Sequence, residues 1–175
     1  LMDVVNFGGE SLYYLYKDIP EDVRDVGLRT VAAFGVRSRF VHLEFFRLTE
    51  DQEGLGKAGD LVGLEVNMRP AGGYTPDMYN FAYETDVYKI WADMIAFDHS
   101  TKPLGNHHFC AYIGRRDDKW YAMDHDAIMA KYGHCMVMVR RVPDALSGCM
   151  GNQMYVANLE TEEELNQYYR DLMEC

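Results

Sequence analysis

Three side chains stand out for chemistry they could share. Glu44 lies in FVHLEFFRL (40–48), and Glu65 and Asn67 lie in LVGLEVNMR (61–69). Alternation along an extended chain puts Phe40, His42, Glu44 and Phe46 on one face of the first segment, with Val41, Leu43 and Phe45 opposite. In the second segment Val62, Leu64, Val66 and Met68 share a face, and Gly63, Glu65, Asn67 and Arg69 share the other. The charged, glycine-containing connection from Thr49 to Asp60 reads as a hairpin, which makes the two strands antiparallel neighbours and lets two carboxylates and an amide converge. Like charges held side by side disfavour folding unless a cation or a proton compensates. A hard divalent cation can compensate them, because magnesium prefers oxygen, takes few ligands from protein and leaves other positions to water and phosphate. The simpler alternative is a strand with one wet face, since charged residues are mostly exposed, and spacing alone favours it.

The order of the two motifs adds to this. HLEFF (42–46) followed by LEVNMRPAGG (64–73) resembles the end of an ATP-grasp domain, where a Glu on one strand and an E-x-N-x-R pattern on the next hold magnesium and nucleotide phosphates. Within that superfamily the likeness is to carboxylate–amine ligases and carbamoyl-phosphate synthase-like members. The resemblance runs from Asp3 to about Ile95 and rests on the ordered pair of motifs. It implies Glu44, Glu65 and Asn67 as ligands of Mg2+ (or Mn2+), with ATP as co-substrate. Arg69 would face the transferred phosphate or an acyl-phosphate as the catalytic residue, and Gly72 and Gly73 would let the backbone pass close to substrate and nucleotide. The implied activity is activation of a carboxylate as its acyl-phosphate for attack by an amine. Complete enzymes of this kind have a preceding domain and a central lobe whose lysines and glycine-rich loop clamp the triphosphate. Nothing before Asp3 supplies these, and Lys17 and Lys57 stand in the wrong context. The expectation is therefore a carboxy-terminal piece of a longer ligase, or half of a split enzyme, inactive by itself and partnered by the remainder of the ligase chain or a separate N-terminal subunit. The other reading is a non-catalytic binding or association module that retains the scaffold.

The elements that must position these residues read as an α+β chain: an antiparallel sheet with flanking helices over 1–98, the C-terminal portion of an ATP-grasp fold, then a small α+β lobe over 106–175 packed on it. VVNFGGESLYYLYKD suggests two short strands about Gly8-Gly9. Pro20 opens a helix with Val23, Val26, Thr30, Val31 and Phe34 at helical spacing, ending near Gly35. Thr75-Pro76-Asp77 starts another, with Met78 and Ala82 inward. From Asp86 a third carries Tyr88, Trp91, Ala92 and Ile95 on one face, a stripe expected to be core. DHSTKPLGN is the best boundary. Beyond it, HHFCAYIGRR and KWYAMD flank Asp117-Asp118 as an expected hairpin, followed by helix DAIMAKYG, strand HCMVMVRRV and a strand about GNQMYVANL. Thr161 and Glu164 form a capping-box signature before Leu165, Tyr168, Tyr169 and Leu172.

Composition narrows the classes. A formal net charge of -11 over 175 residues argues against nucleic-acid and anionic-membrane partners. The acidity fits a cytoplasmic protein. Cys110, Cys135, Cys149 and Cys175 form no C-x-x-C pair, no apolar run approaches a membrane span, and reduced thiols are expected. Gly54-Leu55-Gly56-Lys57-Ala58-Gly59 matches G-x-G-x-x-G, but a strand rather than a helix follows, so it reads as a hairpin tip. There is no P-loop and no G-x-S-x-G. His107-His108, Asp124-His125-Asp126 and His134-Cys135 lack a recognised metal-ligand spacing and read as turn residues. With the facing lobe absent, Phe40 and Phe46 would join an exposed apolar patch on the Glu44 face, which suggests a homo-oligomer.

Overall fold

The computed structural model describes residues 9–175, so the first half of the strand pair about Gly8-Gly9 lies outside the described residues. The fold is α+β with antiparallel sheets. Contacts divide the chain into two compact units: Leu1–Lys17, Asp77–Thr85 and Leu104–Cys175 form the first, and Asp18–Pro76 with Asp86–Pro103 form the second. This differs from a single cut between residues 98 and 106, because the opening strand and the 77–85 segment group with the tail.

The first unit contains β1 (Ser11–Leu15), β4 (Phe109–Arg115), β5 (Met136–Arg141) and β6 (Gln153–Leu159), in the sheet order β1-β4-β6-β5 with every neighbour antiparallel. Its helices are α4 (His125–Tyr132), α5 (Asp144–Met150) and α6 (Glu162–Met173), and it takes in all but the first two residues of α2 (Thr75–Ala82). Ala111 and Ile113 of β4 and Tyr155, Ala157 and Leu159 of β6 meet Ile128 and Tyr132 of α4 and Leu165, Tyr168 and Leu172 of α6 in one core. The opposite face of β4 is also buried. There Tyr112 stacks on Tyr13 with ring centroids 4.8 Å apart and donates to the Met150 carbonyl at 2.7 Å. Gly114 is required at this crossing, since a Cβ would stand 1.9 Å from the Met150 carbonyl oxygen. Gly151, at φ +80°, faces it, and its own Cβ would meet Gly114 backbone carbon at 2.5 Å.

The capping box forms as the sequence suggests: Glu164 N–H donates to Thr161 Oγ1 at 3.1 Å, and the Glu164 carboxylate accepts from Thr161 N at 3.4 Å. The 77–85 segment is fastened by His108 N–H to Ala82 O at 2.8 Å and by Asn158 Nδ2 to Phe81 O at 2.9 Å. Two expectations fail here. KWYAMD forms no strand, because both edges of β4 are already taken by β1 and β6, and Trp120 projects into solvent. Helix α5 stands where the sequence suggests no element, its seven residues being too short to show a period.

The second unit holds α1 (Glu21–Ala33), the hairpin β2 (His42–Arg47) and β3 (Leu61–Asn67), and α3 (Val87–Phe97), with the two-stranded sheet separate from the larger one. Asp86 caps α3 by accepting from Lys89 N at 2.9 Å. The aromatic stripe expected in the core is on the outside of α3: Val87, Ile90 and Met94 are the half-buried side, whereas Tyr88, Trp91, Ala92 and Ile95 are exposed. The sequence does not separate these faces because the helix is apolar on both. No residue of the second unit is buried, and among the described residues most of the large exposed apolar side chains belong to it.

Candidate functional site

The hairpin of the second unit positions the residues singled out above. Its register pairs Glu44 with Glu65 and His42 with Asn67. Directly opposed residues of antiparallel strands project to the same side, so His42, Glu44, Glu65 and Asn67 share one face. The other face turns inward: Leu43 Cδ1 lies 3.9 Å from the position a Cβ on Gly27 of α1 would take. Arg47 of the hairpin pairs with Asp22 of α1 at 2.6 Å, which fixes the helix across the strands.

Simple alternation fails at one place. After Glu44–Glu65 the register steps to Phe45–Gly63, leaving Leu64 as the extra residue of a bulge. Gly63 therefore stands with Phe45, not on the Glu65 face, and Val62 opposes Phe46. The bulge lies beside the carboxylates, where it sharpens the local twist and re-aims side chains. Phe40 is half-buried with its ring stacked on Trp91, 5.6 Å between centroids, so it does not lie open on the acidic face. Phe46 does, at 58% exposure.

The electrostatics of this face suit a cation-seeking site. Glu44 and Glu65 oppose each other with no Lys or Arg paired to either among the described ion pairs; the His42 imidazole lies beside them, Nε2 3.8 Å from Glu44 Oε1. His42 Nδ1 and Asn67 Nδ2 are buried and without a hydrogen-bond partner. Turning the Asn67 amide over would set its oxygen at that position, and side-chain amides are oriented by their partners. The two carboxylates are open to solvent, and with a turned Asn67 amide they are the oxygen groups of this face that could take a hard cation. Protein groups by themselves do not complete a cage: among the described residues no three His, Cys, Asp or Glu side chains gather for a metal. His42 is the residue of this face that the paired motifs do not single out, although alternation sets it beside Glu44.

Past β3, exposed Arg69 bends back to donate to Pro70 O at 3.0 Å. Gly73 has φ +61°, the left-handed region that favours glycine. Gly72 is exposed with no atom within 4 Å of a would-be Cβ, so this segment has room for a ligand. The glycine-rich tip is a hydrogen-bonded turn: Asp51 accepts from Ala58 N and Lys57 Nζ at 2.9 Å each, and Asp60 from Lys57 N at 2.7 Å. Strand β3 follows it, so the dinucleotide-loop context is missing.

Elsewhere the titratable side chains serve the fold. In the first unit His108 lies between Glu160, Nδ1 to Oε1 2.6 Å, and Glu84, Nε2 to Oε1 3.3 Å, and Lys17 pairs with Glu160 at 3.0 Å. His125 Nδ1 meets Tyr155 OH at 3.1 Å, and all four cysteines are free thiols.

No protein-family model matches the sequence, and no curated protein sequence matches it. Among solved structures, phosphoribosylglycinamide synthetase from Anaerococcus prevotii is similar over 93% of this chain and 43% of its own, with a TM-score of 0.57 and 13% identity. At that identity the likeness is one of fold, and the chain spans less than half the length of that protein. What this defines is the fold alone, an α+β arrangement shared with part of that synthetase. No helix among the described residues is long and apolar enough to cross a membrane.

Proposed function

We propose that the chain is the carboxy-terminal part of an ATP-grasp ligase that activates a carboxylate with Mg-ATP and joins it to an amine. The observation that carries this reading is the register Glu44–Glu65 and His42–Asn67, which gathers both motifs on one face. Glu44, Glu65 and the Asn67 amide oxygen would hold the metal. A bound Mg2+, or Mn2+, supplies charge neutralisation for the phosphoryl group in flight. Arg69, released from Pro70, would lay its guanidinium on the transferred phosphate, where a fixed cation stabilises developing charge. His42 would hold Glu44 in place. In the reaction a substrate carboxylate oxygen attacks the γ-phosphorus and ADP departs; the amine nitrogen then attacks the acyl carbon, phosphate leaves, and the amine gives up a proton. No protein nucleophile is needed.

The clamp for the other side of the triphosphate would come from the remainder of the ligase chain or a separate N-terminal subunit, and the absence of any buried residue in the second unit supports a missing neighbour. Titration calorimetry with Mg-ATP tests the reading. The chain alone is expected to bind weakly, with a dissociation constant on the order of 1 mM, and Glu44→Gln/Glu65→Gln to abolish the heat. Micromolar binding would mean a nucleotide site more complete than proposed. Unchanged binding in the double variant would leave the hairpin as an association module on the same scaffold.

A further inference from the structure

A pocket of about 570 Å³ opens at the end of the larger sheet where β6 stops and β5 begins, within the first unit. That volume is in the range of small-molecule sites. No residue of the hairpin lines it. We propose that it binds a primary arylalkylamine in its protonated form, an aromatic ring on a short chain ending in an ammonium group. The proposal does not depend on the ligase reading, and either can fail without the other.

The apolar part of the ligand follows from the walls. Cys135, Met136, Val137 and Leu159 line the pocket. The Cys135 thiol donates to Tyr132 O at 3.1 Å, and burial, with the Glu164 carboxylate adding to it, pushes its pKa up. It therefore stays a neutral thiol and serves as a wall, not a nucleophile. The Met136 thioether favours an aromatic ring over an alkyl chain. The charged end follows from which polar groups are already taken. Lys131 pairs with Asp171, and His108 is held between Glu160 and Glu84, so an anion finds no free lysine or arginine among the residues lining the pocket. Acceptors, by contrast, are left over. Glu164 Oε2 takes both capping hydrogen bonds, from Glu160 N at 2.8 Å and Thr161 N at 3.4 Å, and Oε1 has no partner among the described hydrogen bonds. Asn158 Nδ2 donates to Phe81 O at 2.9 Å, which fixes the orientation of the amide and leaves Oδ1 a buried acceptor with no hydrogen-bond partner. Both groups line the pocket. An ammonium carries three N–H donors, no acceptor and the charge that a carboxylate prefers.

Titration of the 15N-labelled chain with three probes that share a phenyl ring tests this at about pH 7.5, where an alkylamine is protonated. Phenethylamine should shift the amides of residues 133–137 and 158–164 with a dissociation constant on the order of 100 µM. Phenethyl alcohol should bind at least about tenfold more weakly, and phenylacetate should not bind. Glu164→Gln keeps the capping box, which Gln also makes, and should weaken phenethylamine at least about tenfold. Glu163→Gln, the same change of net charge at an exposed neighbouring position, should bind it as the parent does. Equal affinity for the three probes overturns the proposal, as does the absence of shifts at about 5 mM phenethylamine. Shifts centred on the hairpin carboxylates, or binding that Glu164→Gln leaves unchanged or that Glu163→Gln weakens equally, overturn it too. Should Glu164→Gln fail to fold, the order of the three probes on the parent chain decides.

Discussion

Glu65→Gln should stabilise the chain without magnesium and destabilise it, relative to the parent, with magnesium. The Glu44–Glu65 pair is directly opposed across the hairpin, and Glu44 is 39% exposed by its side chain, so solvent screens the repulsion. At a separation of about 5 Å two unit charges in water repel by about 0.8 kcal/mol, and about 0.15 M salt halves this. Neutralising one should therefore raise the unfolding free energy by about 0.4 kcal/mol in physiological salt and about 0.8 kcal/mol in low salt. Magnesium at about 10 mM acting on a site with a dissociation constant of about 1 mM adds about 1.4 kcal/mol to the parent alone, so the order of stabilities inverts. The assay is urea unfolding followed by tryptophan fluorescence in a Trp120→Phe background. Trp120 belongs to the first unit and Trp91 to the second, so the remaining signal reports the unit that carries the hairpin. If Glu65→Gln is destabilising without magnesium, or if both chains gain equally from it, the opposed-carboxylate account is refuted.

The remaining predictions concern the first unit. Gly114→Ala drives a Cβ into the Met150 carbonyl and should cost about 3 kcal/mol or more in chemical denaturation; a loss under about 0.5 kcal/mol would show that this crossing is loose. Arg115 is buried with carbonyl partners only, Leu172 O at 2.7 Å and Met123 O at 2.6 Å, its guanidinium 4.3 Å from the Tyr121 ring, and burial lowers its pKa. Arg115→Lys, which cannot span both carbonyls and the ring, should lose about 2 kcal/mol, and an equal melting temperature would contradict this. Burial pushes the Asp171 carboxyl up, but hydrogen bonds from Lys131, Tyr132 and Gln167 outweigh it and hold the pKa below 3.8. The stability it contributes is full above that ordinary value and disappears as pH falls through the lowered one, so Asp171→Asn should flatten the acid limb of stability below about pH 4. Burial pushes the Cys110 thiol up to about 12, so it should react with a disulfide reagent at pH 8 only on unfolding, whereas Cys175 reacts at once.

Much of the hairpin is legible in the sequence because its signals are local. Period-two alternation and the turn-rich connection lead to β2 and β3, but the Glu44–Glu65 pairing depends on the bulge, since the register that closes the hairpin at Arg47–Leu61 would otherwise set Glu44 against Leu64. Leu64 is not legible as a bulge, since an extra residue in one strand leaves no trace in the alternation of that strand alone. The outward stripe of α3 misleads for a related reason: when a helix is apolar on two sides, periodicity identifies a face but not the direction it points. Strand order in the first unit depends on long-range pairing. Nothing in HHFCAYIGRR says that β1 and β6 occupy both its edges and leave KWYAMD unpaired. Thr161 with Glu164 is legible because capping is settled within one turn of chain; Gly133 does follow the last residue of α4, but at φ -54° it is not the left-handed cap that a glycine there suggests.

The central claim is that the face carrying His42, Glu44, Glu65 and Asn67 holds a divalent cation. Substoichiometric Mn2+, added to the 15N-labelled chain, broadens amide resonances within about 10–15 Å of where it binds, a distance set by the paramagnet, and Mn2+ shares the oxygen preference of Mg2+. Broadening should centre on residues 42–46 and 63–69, should be reversed by excess Mg2+, and should vanish in Glu44→Gln/Glu65→Gln. Broadening centred instead on the acidic tip at Asp51 and Asp60, or spread over the surface and unchanged in the double variant, would contradict the claim.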